Sequence, residues 1–354
     1  MNKLTKVGLS ALCGSLAAVS SANAGEMTVT GGVDMSWMSN GGNASTTGNP
    51  IGMGSNLTFS GSGELDNGWK HSVTIALLNK GAYSNTVVNL DMGGFGSLNF
   101  NQGDSTNGID AYDDKMPTAW EESWGMGLGT GIQLVRGVGT NNNVEYTTPT
   151  LGGITLTAAV APDMGSADVN DKGASGATAD GTGAGYDLTA NVNPSFGTEL
   201  LSGLNLFVGG HYTKTYNETA SQNDRYEGVG GVTFDIGPVS LGYQSSGIST
   251  GNQATATDPD FYKNHAYGVA FNINDDLSVS YGEHTSEMWV VNPDGGNLNG
   301  AKSSVLTEVE SFQIAYTMGG ASIRYAQAEV SNAAYQTTTQ YDKETKLVSV
   351  SLAF

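Results

Sequence analysis

The chain has 354 residues, 34 acidic against 14 basic side chains, a formal net charge of −20, 51 glycines and one cysteine. So acidic a chain does not bind nucleic acid by neutralising phosphates, and its single cysteine excludes an internal disulfide and a cysteine metal cluster. No stretch beyond the N-terminus approaches the roughly 20 consecutive apolar residues of a membrane helix, which still leaves room for a membrane sheet apolar on one face only.

Residues 1–24 read as a secretory signal peptide. Lys3 and Lys6 give a positive start, residues 7–19 are mostly apolar, and Ala22-Asn23-Ala24 is a small-residue cleavage site. Cys13 lies inside it, so the exported chain is expected to carry no cysteine. Its removal takes away two lysines and no acid, moving the formal charge from −20 to −22.

Strand-like alternation follows at once. Met27, Val29, Val33, Met35 and Trp37 share one face, with Thr28, Thr30, Asp34 and Ser36 on the other. Strands are predicted over 55–65 and 69–79, joined by the tight turn Asp66-Asn67-Gly68, then over 84–92 and, after Gly93-Gly94, over 96–103.

Residues 104–140 break the pattern: 37 residues contain no credible strand, and loops that long inside a compact domain are usually functional. They carry Asp104, Asp110, Asp113, Asp114, Glu121 and Glu122 against Lys115 and Arg136, with Trp120 and Trp124 among them. The two tryptophans either pin the loop to a wall or belong to a short helix. The run GMGLGTG at 125–131 lacks the Lys-Ser/Thr of a phosphate loop and reads as a flexible exit.

Further strands are predicted over 142–148, 153–161, 184–193, 204–216, 226–236, 239–248, 264–273, 277–290, 306–318, 321–330 and 343–354. In the last, Val348, Val350, Leu352 and Phe354 oppose Leu347, Ser349, Ser351 and Ala353. That makes 16 strands, with short and long connections in strict alternation and all eight prolines in connections or at strand ends, where a missing backbone donor costs least. The fold class expected is all-β: a closed transmembrane antiparallel β-barrel of 16 strands, because closure leaves no unpaired edge in lipid. A soluble sandwich would use the same alternation, but the signal peptide and the terminal Phe354 favour the barrel.

The strand EMTVTGGVDMSW, the hairpin NLTFSGSGELDNGWKHSVTIAL, the approach FGSLNFNQGD, the exit NNNVEYTTPTLGGITLTAAV and the terminal SLAF together resemble the general diffusion porins of Gram-negative bacteria, most closely the alphaproteobacterial type. The resemblance spans essentially the whole exported chain, though each motif is short. It implies an outer-membrane location in contact with lipid, a homotrimer, and a water-filled channel for small hydrophilic solutes and ions. It also implies that residues 104–140 fold into the lumen as the constriction, and that assembly machinery reads Phe354. Such porins commonly set loop acids against basic wall residues; here only Lys70 is basic on the early strands, so a mainly acidic, cation-preferring pore is expected.

The candidate constriction residues are therefore Asp110, Asp113, Asp114, Glu121, Glu122 and Arg136. Strand parity puts Asp34, Glu64, Lys70, Asp91, Glu145, Asp187, Asp235 and Arg324 on the pore wall. No cofactor is expected, although the acids of residues 163–171 would suit Ca²⁺ without matching a spaced cation loop. His71, His211, His265 and His284 lack metal-ligand spacing. His284 and Ser286 resemble the His-x-Ser pair of outer-membrane phospholipase, but parity points both inward and argues against an enzyme. A substrate-specific channel and a structural or adhesive barrel are the alternatives.

Overall fold

Strands with one apolar and one polar face, and no second sheet to pack on, lose their edges only by closing. The computed structural model describes residues 24–43, 49–79, 84–164, 182–194, 201–215, 223–251, 258–290 and 303–353. In it β1 (Ala24–Gly42), β2 (Ile51–Glu64), β3 (Lys70–Leu78), β4 (Asn85–Asp91), β5 (Ser97–Gln102), β6 (Asn143–Thr147), β7 (Ile154–Ala161) and β8 (Thr182–Val192) are followed by β9 (Leu204–Thr215), β10 (Arg225–Ile236), β11 (Val239–Ser249), β12 (Pro259–Asn272), β13 (Leu277–Val290), β14 (Ser303–Met318), β15 (Ala321–Ser331) and β16 (Lys343–Ala353). Each strand pairs with the next, and β1 closes the barrel on β16 from Gly32 opposite Ala353 to Gly42 opposite Lys343. The proposed signal segment, apart from Ala24, and Phe354 lie outside the described residues.

The two faces separate as the alternation requires. Tyr281, Phe312 and Val348 are exposed, while their neighbours Ser280, Gln313 and Ser349 are buried. A water-soluble protein would bury the first set; an exposed apolar band around a closed barrel is the surface that lipid covers.

Two expectations are corrected. β12 starts at Pro259 rather than at 264, because Phe261 and Lys263 continue the ladder opposite Trp289 and Glu287, and a proline donates nothing as the first residue of a strand. Connection lengths do not alternate strictly: residues 193–203 form a long link at the end of otherwise tight turns, and residues 79–84 a short one at the opposite end.

Between β5 and β6 the chain runs from 103 to 142 with only a 3-10 turn, Asp110–Tyr112. Its apolar side chains are buried against the otherwise polar face of the barrel. Met126 and Leu128 pack with Val309, Ala326, Ala328 and Val330, and Ile109 and Val135 with Phe207, Val229 and Ile248.

Candidate functional site

Bringing a loop flat against a sheet requires room, and a row of small residues supplies it. Gly242, Gly268 and Gly282 are direct cross-strand neighbours on β11, β12 and β13, and the row continues through Ser311 to Ala328. A side chain at Gly268 would meet Met116 and Pro117, and one at Gly282 would meet Ser123. Residues 116–123 therefore lie in a shallow trough.

Polar wall side chains hold the loop there through its backbone. Gln244 accepts from the Lys115 N–H (3.1 Å), Ser280 from Ala119 (2.8 Å), and Gln313 from Trp120 and Glu121 (3.1 and 2.9 Å) while returning a bond to the Glu121 carbonyl. Farther along, three wall carboxylates accept five loop N–H groups. Glu145 takes Gly108 (2.6 Å), Asp187 takes Ile109 and Val138 (2.8 and 3.1 Å), and Glu227 takes Arg136 and Gly137 (2.6 and 3.0 Å). Gly108 and Gly137 both have positive φ, and a Cβ on either would run into the Asp187 carboxylate, so only glycine serves. Buried carboxylates persist because these charge-assisted bonds, with His211 on Asp187 and Arg225 on Glu227, replace their water.

Of the predicted constriction residues, Asp110, Asp113 and Asp114 gather on one turn and Glu121 and Glu122 on the next stretch. Burial pushes Asp110 up to about 8, helped by the Asp113 charge and opposed by Arg136. Burial likewise pushes Asp113 up to about 6. Burial and a hydrogen bond with Glu122 push Glu121 up to about 8. Asp114 is buried: it accepts from Met116 N–H and from the Trp124 indole at 3.0 Å. Arg136 is exposed and lines a cavity with Asp110 and Asp113. Trp120 joins the Met126 cluster beneath the Arg324 guanidinium and so pins the loop to the wall, Trp124 ties the loop to itself through Asp114, and no helix forms there. The glycine-rich exit is likewise packed rather than flexible, since Met126 and Leu128 are buried between exposed glycines.

The wall set divides three ways. Arg324 pairs with Asp34 at 2.9 Å, with Ser349 also donating to Asp34. Glu64, Lys70 and Asp91 are successive cross-strand neighbours on the last rungs beside the tight turns, and Asp235 accepts from Ser240 at another turn. Lys70 thus stands at the barrel end remote from residues 104–140. Glu145 and Asp187 lie on the expected face but beneath the loop, as its anchors. Glu227, Gln244 and Gln313 were not singled out from the sequence; their signal is a long polar side chain on the inward parity of a strand. Phe207, Ile248 and Val309 on that same parity were the matching signal that something apolar would cover them.

Ser286 bonds to the Tyr335 hydroxyl at 2.7 Å, not to His284, and Tyr335 also accepts from Gln133 N–H. Burial pushes the Tyr335 hydroxyl up to about 12. Both His284 ring nitrogens lack a hydrogen-bond partner, so no nucleophile and base are paired. Among the described residues no three His, Cys, Asp or Glu side chains converge as a metal site; of the acidic run 163–171, residues 165–171 lie outside them.

The sequence profile of the Gram-negative porins matches residues 8–317. No curated protein matches the chain in sequence. Among solved structures, OmpF of Salmonella typhi in complex with daunomycin aligns at 12% identity over 93% of this chain and 98% of its own, with a TM-score of 0.65. The anion-selective porin of Comamonas acidovorans aligns at 15% over 93% and 99% (0.59), and the trimer form of Vibrio cholerae OmpT at 12% over 94% and 100% (0.59). At such identities these likenesses establish the fold alone.

Proposed function

Because the chain belongs to the Gram-negative porin family, and so is an outer-membrane barrel channel, we propose that it is a general diffusion porin with cation preference, its constriction formed by residues 104–140 folded into the lumen. The observation that carries this reading is the loop's attachment. Ten loop N–H groups are bonded to polar side chains of the wall or, at Gln133, to Tyr335, while the loop brings Asp104, Asp110, Asp113, Glu121 and Glu122 into the barrel with it. Thr58, Thr74, Asn85, Asn99 and Asn101 share one cavity with the wall acid Glu145 and with the loop residues Asp104, Thr106 and Asn107, and no basic side chain lines it. Acids beside a wall without basic side chains concentrate cations and repel anions.

Solutes would pass by diffusion, selected by size and charge without energy coupling. The exposed apolar band would contact outer-membrane lipid, and three copies would associate, as in the trimer form of the Vibrio cholerae relative. The sign of selectivity is this chain's own property, since the Comamonas acidovorans protein of the same fold is anion-selective. In a planar bilayer under a salt gradient, the reversal potential should have the cation-selective sign. Glu121→Gln combined with Glu122→Gln should weaken it. An anion-selective sign would overturn the charge argument, and absence of conductance the channel.

A further inference from the structure

A second cavity, of 510 Å³, opens between the loop, Met164 and the start of β10, within the size range of small-molecule sites. Unlike the cavity beside Thr58, whose charged residues are all acidic, it carries both signs of charge. Asp110, Asp113 and Glu227 line it together with Arg136, Arg225 and Trp124. Glu227 is already engaged by Arg225 and two backbone N–H groups. Asp110 is not engaged: its residue is only 7% exposed, yet its carboxyl accepts no hydrogen bond from the described residues. The Arg136 guanidinium makes no ion pair among them either, although its charge is felt at Asp110. A buried carboxyl without a donor and a guanidinium without an acceptor, in one cavity, are complementary to a ligand bearing an ammonium and a carboxylate.

The geometry points to a binding site for small amphoteric solutes, amino acids or short peptides, with Asp110 and Asp113 receiving the ammonium, Arg136 and the outer nitrogens of Arg225 receiving the carboxylate, and the Trp124 ring as the apolar surface between them. This rests on the reading of the barrel as a channel, which it deepens: such solutes would be held at the constriction loop itself. Simple cations gain only half of these contacts and simple anions the other half. The site therefore discriminates by the pair of charges and not by net charge.

The test is calorimetric titration of the full-length protein in detergent with glycylglycine, with glycinamide and N-acetylglycine as controls carrying one charge each. Saturable binding of glycylglycine is expected, with both controls at least about tenfold weaker, and with Arg136→Gln and Asp113→Asn each weakening it about tenfold, one charge-assisted contact apiece. Arg136→Gln alters an exposed side chain and leaves the backbone N–H on Glu227, so it decides the matter should Asp113→Asn not fold. Absence of saturable heat, glycinamide binding as tightly as glycylglycine, or an unchanged Arg136→Gln would each overturn the site. Bilayer conductance on the same preparation separates the two claims: binding without current retains the site and removes the channel, and current without binding does the reverse.

Discussion

Asp110, Asp113 and Glu121 are acids that do not all carry charge at neutral pH. With Asp110 and Glu121 at about 8 and Asp113 at about 6, each becomes negative only above its own value. Raising the pH from about 5 to about 9 therefore adds negative charge to the loop, first at Asp113 and then at the other two. Cation preference, read as reversal potential under a fixed salt gradient, should climb in two steps, and Asp110→Asn should diminish the upper one. A flat profile would place these groups away from the ion path. Asp187 is a different kind of acid, an anchor whose Oδ2 accepts both the Ile109 and the Val138 N–H. In Asp187→Asn the carboxamide oxygen can still accept those two N–H groups and its NH2 can donate to His211 Nδ1, but the charge that strengthens the bonds is gone, at a cost of about 1–3 kcal/mol. Hydrogen exchange should report it as faster exchange of the Ile109 and Val138 amides, by about ten- to a hundredfold, with strand amides unaffected.

At the level of elements, the loop depends on the glycine row beneath it. Gly268→Val would put a branched side chain where Met116 and Pro117 already sit, and forcing atoms into filled space costs about 1–3 kcal/mol. The barrel ladder tolerates valine well, so the strain falls on the loop. The Lys115 and Ala119 amides should lose protection, and conductance should drop as the loop is pushed off the wall. That dependence also explains what could be read in advance. Met27 to Trp37 and Val348 to Leu352 alternate without interruption, so strands and their outward faces follow from period two, while closure needed the signal peptide and the terminal Phe354 besides. The placing of residues 104–140 does not, because it is set by partners about 130 to 190 residues away, such as Gln244 for Lys115 and Gln313 for Trp120. Local pattern carries no such information. Only the inward parity of Gln244, Gln313 and Phe207, and the recurrence of Leu-Gly-Tyr, Tyr-Gly-Val and Tyr-Gly-Glu on neighbouring strands, hinted at where the loop would lie.

Taken whole, the barrel is lopsided. Buried polar side chains lie on β5, β6, β8 to β14 and β16, many of them bonded to the loop, whereas β2, β3 and β4 have no buried residue on either face. The uncovered side is thus where a passage would run, bounded by Thr58 and its neutral neighbours. Thr58 lines both the cavity shared with Asp34 and Arg324 and the one shared with Asp104 and Glu145. A guanidinium placed there acts over the Debye length, about 8 Å at physiological salt, on any ion crossing that space. Thr58→Arg should therefore reduce cation preference and conductance, most strongly at low salt, while Thr58→Gln, similar in reach but uncharged, should change conductance with little effect on the reversal potential. Equal reversal potentials for the arginine and glutamine variants would mean that ions do not pass along this wall, and would move the path to the loop's other side.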